Sequence, residues 1–179
     1  ENLSAAEASD VLFTAVRVGK TTVQEMSDAL FQVNPIAASA GIEFGDVAAA
    51  MSTLSSQGVP TSVAATQIRQ ALVELSDSGS AVGQTFQEIS GSTFRDFIAG
   101  GGTMQEALNL LSDEAEDSGI SISDMFGSVE AGQAVLGLTG GNADDFAAAL
   151  AAMGDSAGAT DQAYDQMTEG IRFKLDKIK

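Results

Sequence analysis

Apolar residues recur at helical spacing along most of the chain, most clearly in the stretch Ala48–Ser76 and just before it. One face of an α-helix repeats at i, i+3, i+4 and i+7. Two such faces occur, one before Gly58 and one after Pro60. They consist of Phe44, Val47, Ala48, Met51 and Leu54, and of Ala64, Ile68, Ala71, Leu72 and Leu75. The spacing predicts two helices joined by a short connection, which pack as antiparallel neighbours.

Helix start and stop signals divide the rest of the chain into further short helices. Gly58 is predicted to end the first central helix with a positive φ, and Pro60 to lie in the first turn of the second. A Ser or Thr followed three residues later by Glu forms a capping box at a helix start. Three such pairs are present: Ser4 with Glu7, Thr22 with Glu25, and Thr103 with Glu106.

Two segments leave alternatives open. Pro35 either kinks the helix that begins after Thr22 or lies in the first turn of a new short helix ending near Gly41. Thr93–Ala99 carries strand-like bulk between glycines, and we expect it to be extended or one arm of a short hairpin.

The second half of the chain also predicts helices. Gly132 and Gly137 lie within the helical pattern Val129–Leu138, which indicates either close helix packing or fraying. Asn142 is a predicted N-cap for the helix Asp144–Met153.

These elements predict an all-α or nearly all-α fold, a compact array of short antiparallel helical hairpins with at most one tiny β pair near residues 92–99. Gly154–Gly158 is expected to link a helical module, residues 1–158, to a terminal helix, residues 159–179. The chain begins without Met and stops within the helical pattern of Ile171, Leu175 and Ile178. We therefore expect it to be a piece of a longer protein, into which the terminal helix continues.

Composition narrows the classes of function. Aromatic residues make up only 6% of the chain and hydrophobic residues 44%, which favours a core of closely packed helices over a β-sandwich. The chain contains no Cys and no His. Disulfides, imidazole or thiolate metal ligands, and nucleophiles activated by His are therefore excluded. We expect no enzymatic activity.

Charge excludes a further class of partner. The net charge is −17, from 25 acidic and 8 basic residues, so binding to a nucleic-acid backbone is not expected. Four of the bases, Arg172, Lys174, Lys177 and Lys179, lie in the last eight residues and are interpreted as a solvated helix face. No apolar run approaches the ~18 residues of a membrane span.

Two motifs resemble binding sites but do not complete them. Gly19-Lys20-Thr21 matches the end of a phosphate-binding loop, yet Thr14 stands where that loop needs Gly and the preceding segment is helical. A helix stop followed by a capped helix start explains it. The acidic run Asp113–Asp117 before Gly119 suggests a calcium loop, but Met125 falls where a bidentate Glu belongs.

Two further features have structural explanations. Gly100-Gly101-Gly102 precedes a helix N-terminus that could hold an anion, but only Arg95 is near in sequence, so a flexible connector is the better interpretation. Asp144 and Asp145 are adjacent in the first turn of a helix, where they favour the helix dipole rather than acid–base chemistry. No catalytic, cofactor-binding or metal-binding residue is assigned, and no cofactor is expected.

The order of segments resembles the core region of phage tail tape-measure proteins, a minor tail protein family. The resemblance is collinear from about Ala29 to Leu150, although each motif is short. It rests on these segments: Asn34–Gly41, Phe44–Gly58, Thr66–Leu75, Ser92–Gly102, Thr103–Leu111, Met125-Phe126-Gly127 and Ala131-Gly132-Gln133-Ala134. Ser92-Thr93-Phe94-Arg95 departs from the family pattern, because it lacks the usual Gly-Ile pair.

The resemblance implies a structural role in the virion tail, with assembly in the host cytoplasm. Tape-measure proteins set tail length, scaffold the tail tube and travel with the DNA at ejection. The implied partners are the tail tube, the tail assembly chaperone and the tail tip or baseplate proteins, with a homo-oligomer as a further possibility. The alternative is a generic helical protein–protein interaction domain of the adaptor or effector type. A fused cell-wall hydrolase is disfavoured, because the sequence offers no convincing pair of buried carboxylates.

Overall fold

The computed structural model describes residues 3–165 and residue 168, and within them the fold is all-α, as predicted. Nine α-helices lie between residues 5 and 154. They are α1 (Ala5–Gly19), α2 (Val23–Ala40), α3 (Phe44–Ser56), α4 (Thr61–Ser76), α5 (Ala81–Ser90), α6 (Phe94–Ala99), α7 (Met104–Ser118), α8 (Val129–Leu138) and α9 (Ala143–Gly154). Two 3-10 turns, Ile122–Met125 and Gly140–Asn142, precede α8 and α9.

The predicted terminal helix is only partly covered by the described residues. Residues 159–165 are helical. Positions 166, 167 and 169–179 lie outside the described part of the chain, so the predicted helix is not tested over them.

Helix α3 lies at the centre of the fold. All nine residues from 47 to 55 are buried, on every side of the helix rather than along one stripe. Helices α1, α2, α4, α8 and α9 all contact it. Small side chains at Ala48, Ala49 and Ala50 allow these neighbours to approach the α3 backbone closely. A helix enclosed in this way needs no polar face.

The polar residues of α3 are accommodated within the core by hydrogen bonds. Ser52 Oγ donates to the carbonyl of Ala48 at 2.6 Å and to that of Ala15 in α1 at 3.1 Å. Ser55 Oγ likewise donates to the Met51 carbonyl at 2.8 Å. Because their donors are satisfied, these short side chains can be buried without a large desolvation cost.

Helices α3 and α4 do not pack only against each other, as the two helices of an isolated hairpin would. Helices α3 and α4 contact each other, as the short connection predicts. The most extensive contacts of α3, however, are with α1 and α9, and those of α4 are with α2 and α8. Since α3 is apolar or small on all sides, it has no single stripe that must face α4.

A smaller aromatic cluster joins α5 and α6. The ring of Phe86 contacts those of Phe94 and Phe97 edge-on, with centroids 5.6 and 5.4 Å apart. The expectation that residues 93–99 are extended is wrong, because they form the short helix α6. Thr93 caps it by accepting a hydrogen bond from the Asp96 amide at 3.2 Å, so the bulky residues lie on helix turns.

Most predicted helix boundaries are confirmed. All three capping boxes form, with the Ser or Thr and the Glu bonded reciprocally. Gly58 has φ 96°. Pro60 occupies the N-cap of α4, one position before the predicted first turn. Pro35 lies inside the single helix α2, which excludes a new short helix there.

Asn142 occupies the N-cap position of α9, but its side chain does not cap the helix. Its amide Nδ2 instead donates to the Leu136 carbonyl at 3.2 Å, which ties the end of α8 to the 3-10 turn.

Close packing, not fraying, explains the glycines of α8. A Cβ on Gly137 would overlap the Leu54 side chain of α3, and one on Gly132 would lie 3.1 Å from Ser123 Cβ. Both glycines are buried. Of the helices in the described part of the chain, none combines the length and apolarity needed to span a bilayer.

Replacing Gly19 with Ala is expected to destabilise the fold by about 1–3 kcal/mol, the usual cost of overpacking a core. A Cβ at Gly19 would lie 3.0 Å from the Ser52 Cα of α3. Gly154→Ala is the matched control, because Gly154 also ends its helix but has open space around it. Urea unfolding of both variants measures the difference, and equal stabilities would contradict close contact between α1 and α3.

Candidate functional site

The Gly-Lys-Thr motif is a helix junction in the structure. Gly19 ends α1 against α3, Lys20 adopts the left-handed conformation with φ 54°, and Thr22 caps α2. The structure therefore gives each of these residues a role in connecting two helices, in agreement with the structural interpretation of the motif.

The other glycines that suggested loops also end helices. Gly119 is the C-cap of α7, with φ 72°, and its amide bonds the Ala115 and Glu116 carbonyls. Gly100-Gly101-Gly102 is not an open connector, since all three amides donate to carbonyls at the end of α6. Gly102 has no room for a Cβ, because the Phe97 ring lies against it.

The acidic residues singled out in the sequence are spread over helix surfaces. Asp144 and Asp145 are exposed in the first turn of α9, as predicted from their favourable interaction with the helix dipole. In residues 3–165 and 168, no three Asp or Glu residues are arranged to hold a metal ion.

A carboxylate near the N-terminus anchors the beginning of the helical segment at residue 159. Asp10 of α1 accepts hydrogen bonds from the amides of Gly158, at 2.7 Å, and Thr160, at 2.9 Å. These bonds, chiefly those from Thr160, hold the pKa of Asp10 below its usual value. Asp10 thus acts as an N-cap supplied from a distant helix and fixes where the chain leaves α9.

A second carboxylate, Glu74 of α4, holds the loop before α8. Its Oε2 accepts from the Gly127 amide at 2.7 Å, and its Oε1 accepts from Ser128 Oγ at 2.5 Å. Ser128 in turn caps α8 by accepting from the Ala131 amide. This network positions α8 against α4.

Amide side chains complete the contacts between α8 and the central helices. Gln67 Nε2 donates to Gln133 Oε1 at 2.6 Å, and Gln57 Nε2 donates to the Gly137 carbonyl at 2.8 Å. The sequence did not predict these contacts or those of the two anchoring carboxylates. Their partners lie between 53 and 150 residues away in the chain, beyond the range of any local motif.

An acidic cavity of about 290 Å³ lies where α1, the start of α3 and the end of α9 meet. Four carboxylates line it: Glu7, Asp10, Glu43 and Asp46. Burial, together with the charge of Glu43, raises the pKa of Asp46 to about 6. Asp46 is therefore mostly ionised at pH 7, and holding that charge in a half-buried position lowers the stability of the folded state.

The polar side chains described above cap helices or join one helix to another, and together they stabilise an acidic, closely packed helical module.

Comparison with known proteins identifies the family to which the chain belongs. The family model described as "Phage-related minor tail protein" matches residues 2–127. The chain therefore belongs to the phage-related minor tail protein family, whose description names a tail component. Family membership implies a location in the virion tail.

A relative supports the resemblance to tape-measure proteins. The chain is 32% identical over 175 residues to a "Probable tape measure protein" of Clostridium phage phiCD119, strain Clostridium difficile/United States/Govind/2006. The match covers 94% of this chain and 18% of the relative, so the chain spans about a fifth of the relative's length. No solved structure matches the chain.

Replacing Asp46 with Asn is expected to stabilise the protein at pH 7 but not at pH 4. Because its folded pKa is raised, to about 6 from 3.8, the native state binds the proton more tightly than the unfolded chain. In the wild-type protein, the stabilisation that comes from protonated Asp46 is fully present below the unfolded pKa. It is lost as the pH rises through 6, where the folded protein releases this proton. Because Asp46 is partly exposed, solvent screens its charge. We therefore expect Asp46→Asn to raise the free energy of unfolding by about 1 kcal/mol at pH 7.

Urea unfolding near both pH values measures this effect. Asp113→Asn is the control, because Asp113 is an exposed helical carboxylate. A gain for Asp46→Asn that is the same at both pH values would show that its charge is not responsible.

Proposed function

We propose that this chain is a compact structural module of a phage tail tape-measure protein. In this proposal the parent protein sets tail length, scaffolds assembly of the tail tube in the host cytoplasm and takes part in DNA ejection. The observation that carries the proposal is the match to a probable tape measure protein over 94% of this chain. The family match over residues 2–127, to a phage-related minor tail protein, agrees with it.

The fold suggests which part of that task the module performs. At 1.5 Å per residue, a straight helix of 179 residues would span about 270 Å. Here the described chain folds back on itself around α3. Adding residues to it would therefore not lengthen the protein by 1.5 Å each, as it would in a straight helix. We propose that residues 1–158 are one folded module and that the helix beginning at residue 159 continues into the extended part of the parent protein.

The anchoring of residues 158–160 fits this division. Asp10 fixes the first turn of the segment that leaves the module, so the module and the following helix would keep a defined relation at their junction. The proposed partners are the tail tube, the tail assembly chaperone and the tail tip or baseplate proteins. The net charge of −17 disfavours direct contact with DNA.

The test is an in-frame deletion in the parent phage gene, placed in a predicted helical segment outside this module. Tails should shorten by about 1.5 Å for each helical residue removed, as measured by electron microscopy of purified virions. A matched deletion in a gene for a different tail protein controls for general assembly defects. Intact tails of unchanged length would contradict the proposal and favour a helical adaptor domain.

A further inference from the structure

A surface groove between α1 and α2 exposes a large aromatic side chain. Phe31 is 82% exposed, although Phe is ordinarily among the most buried residues. It borders a cavity of about 480 Å³. The other apolar side chains of this surface, named here the Phe31 groove, are Ala5, Ala8, Leu12, Leu30 and Phe44.

The Phe31 groove differs from an isolated exposed residue. Single exposed apolar side chains are common and need no explanation, whereas several apolar side chains lining one cavity are characteristic of a binding site. The polar lining residues of the groove, Ser9, Ser27 and Asn34, carry no charge. Pro35 lies one turn after Phe31 in α2 and has no N–H, so the Phe31 carbonyl lacks its usual helical donor. Pro35 therefore leaves one carbonyl of α2 without its usual helical partner close to the groove.

The charged residues described around the groove are all acidic. Two cavities adjoin the groove, the acidic cavity described above and a second cavity beside Glu43. Leu3 and Phe44 line both of them, and Phe44 also lines the Phe31 groove. Among the residues that the structure describes, neither Lys nor Arg lines any of these three cavities. Their charged lining residues are Glu7, Asp10, Glu43 and Asp46.

We infer that the Phe31 groove binds an amphipathic α-helix of a partner protein, with apolar residues on the face that enters the groove and Lys or Arg along its edge. An apolar groove between two helices accepts a third helix through side chains spaced at i, i+3, i+4 and i+7. The surrounding carboxylates would attract and orient the basic edge.

A second copy of this chain fits the groove less well. A symmetric pair would place the same acidic surroundings opposite each other, between chains that each carry a net charge of −17. The inference rests on the surface chemistry alone and does not require the tail-length role proposed above.

The probe for this inference is a synthetic peptide of about 14 residues, or four helical turns, made of Leu on one face and Lys on the other. Binding is measured by fluorescence anisotropy in about 0.15 M salt, which screens non-specific attraction. A peptide of the same composition, with its Leu residues scattered around the helix, is the control for charge alone.

Phe31→Ser is expected to weaken binding of the amphipathic peptide at least tenfold, as loss of an aromatic anchor commonly does. Val129→Ser is the matched control, because Val129 is 72% exposed on α8, away from the groove. Both side chains are largely in solvent, so both variants should fold normally, which thermal unfolding verifies. Equal affinities of the two variants would overturn the inference.

Two variants that each remove one carboxylate charge test the role of the acidic residues around the groove. Glu43→Gln should weaken binding and reduce its dependence on salt, whereas Glu88→Gln on α5 should not. Glu43 suits this test because its side chain makes no capping bond to α3. Equal binding of the scattered peptide, or a dimer that dissociates with Phe31→Ser in light scattering, would also overturn the inference. The dimer would assign the groove to a second copy.

Discussion

Close packing of small side chains around α3 is the interaction on which the positions of the surrounding helices depend. With Ala, Ser and Gly at the contacts, α1 approaches α3 closely enough for Ser52 to reach the Ala15 carbonyl. Gly137 lets α8 approach Leu54 in the same way. The core gains dispersion energy from this close approach despite having few aromatic residues.

Two distant carboxylates then fix the segments that this packing leaves at the surface. Glu74 holds the loop before α8, and Asp10 holds the residues that follow α9. Each satisfies amide donors that would otherwise lack a partner within their own segment. The acidic character of the chain is therefore partly structural, because both carboxylates accept hydrogen bonds from main-chain amides of distant segments.

Local signals predicted the individual elements well, and long-range contacts account for what they missed. The capping boxes at Ser4, Thr22 and Thr103 depend on residues three positions apart, so the sequence contains all of their information. The prediction for residues 93–99 is wrong because it relied on the bulky side chains, which favour a strand, and overlooked the helix cap formed by Thr93 and Asp96. The choice of partners by α3 could not be predicted, since a helix with apolar or small residues on all sides has no preferred face.

The described contacts thus form a folded module rather than a length of extended helix, and the function proposed for the chain depends on that distinction. Small-angle X-ray scattering of this chain in dilute solution tests it most directly. With residues 1–158 folded as a compact module, the chain of 179 residues should give a radius of gyration only slightly above the value near 16 Å of a globule of this length. A straight helical rod of about 270 Å would give a value near 80 Å and would contradict the account.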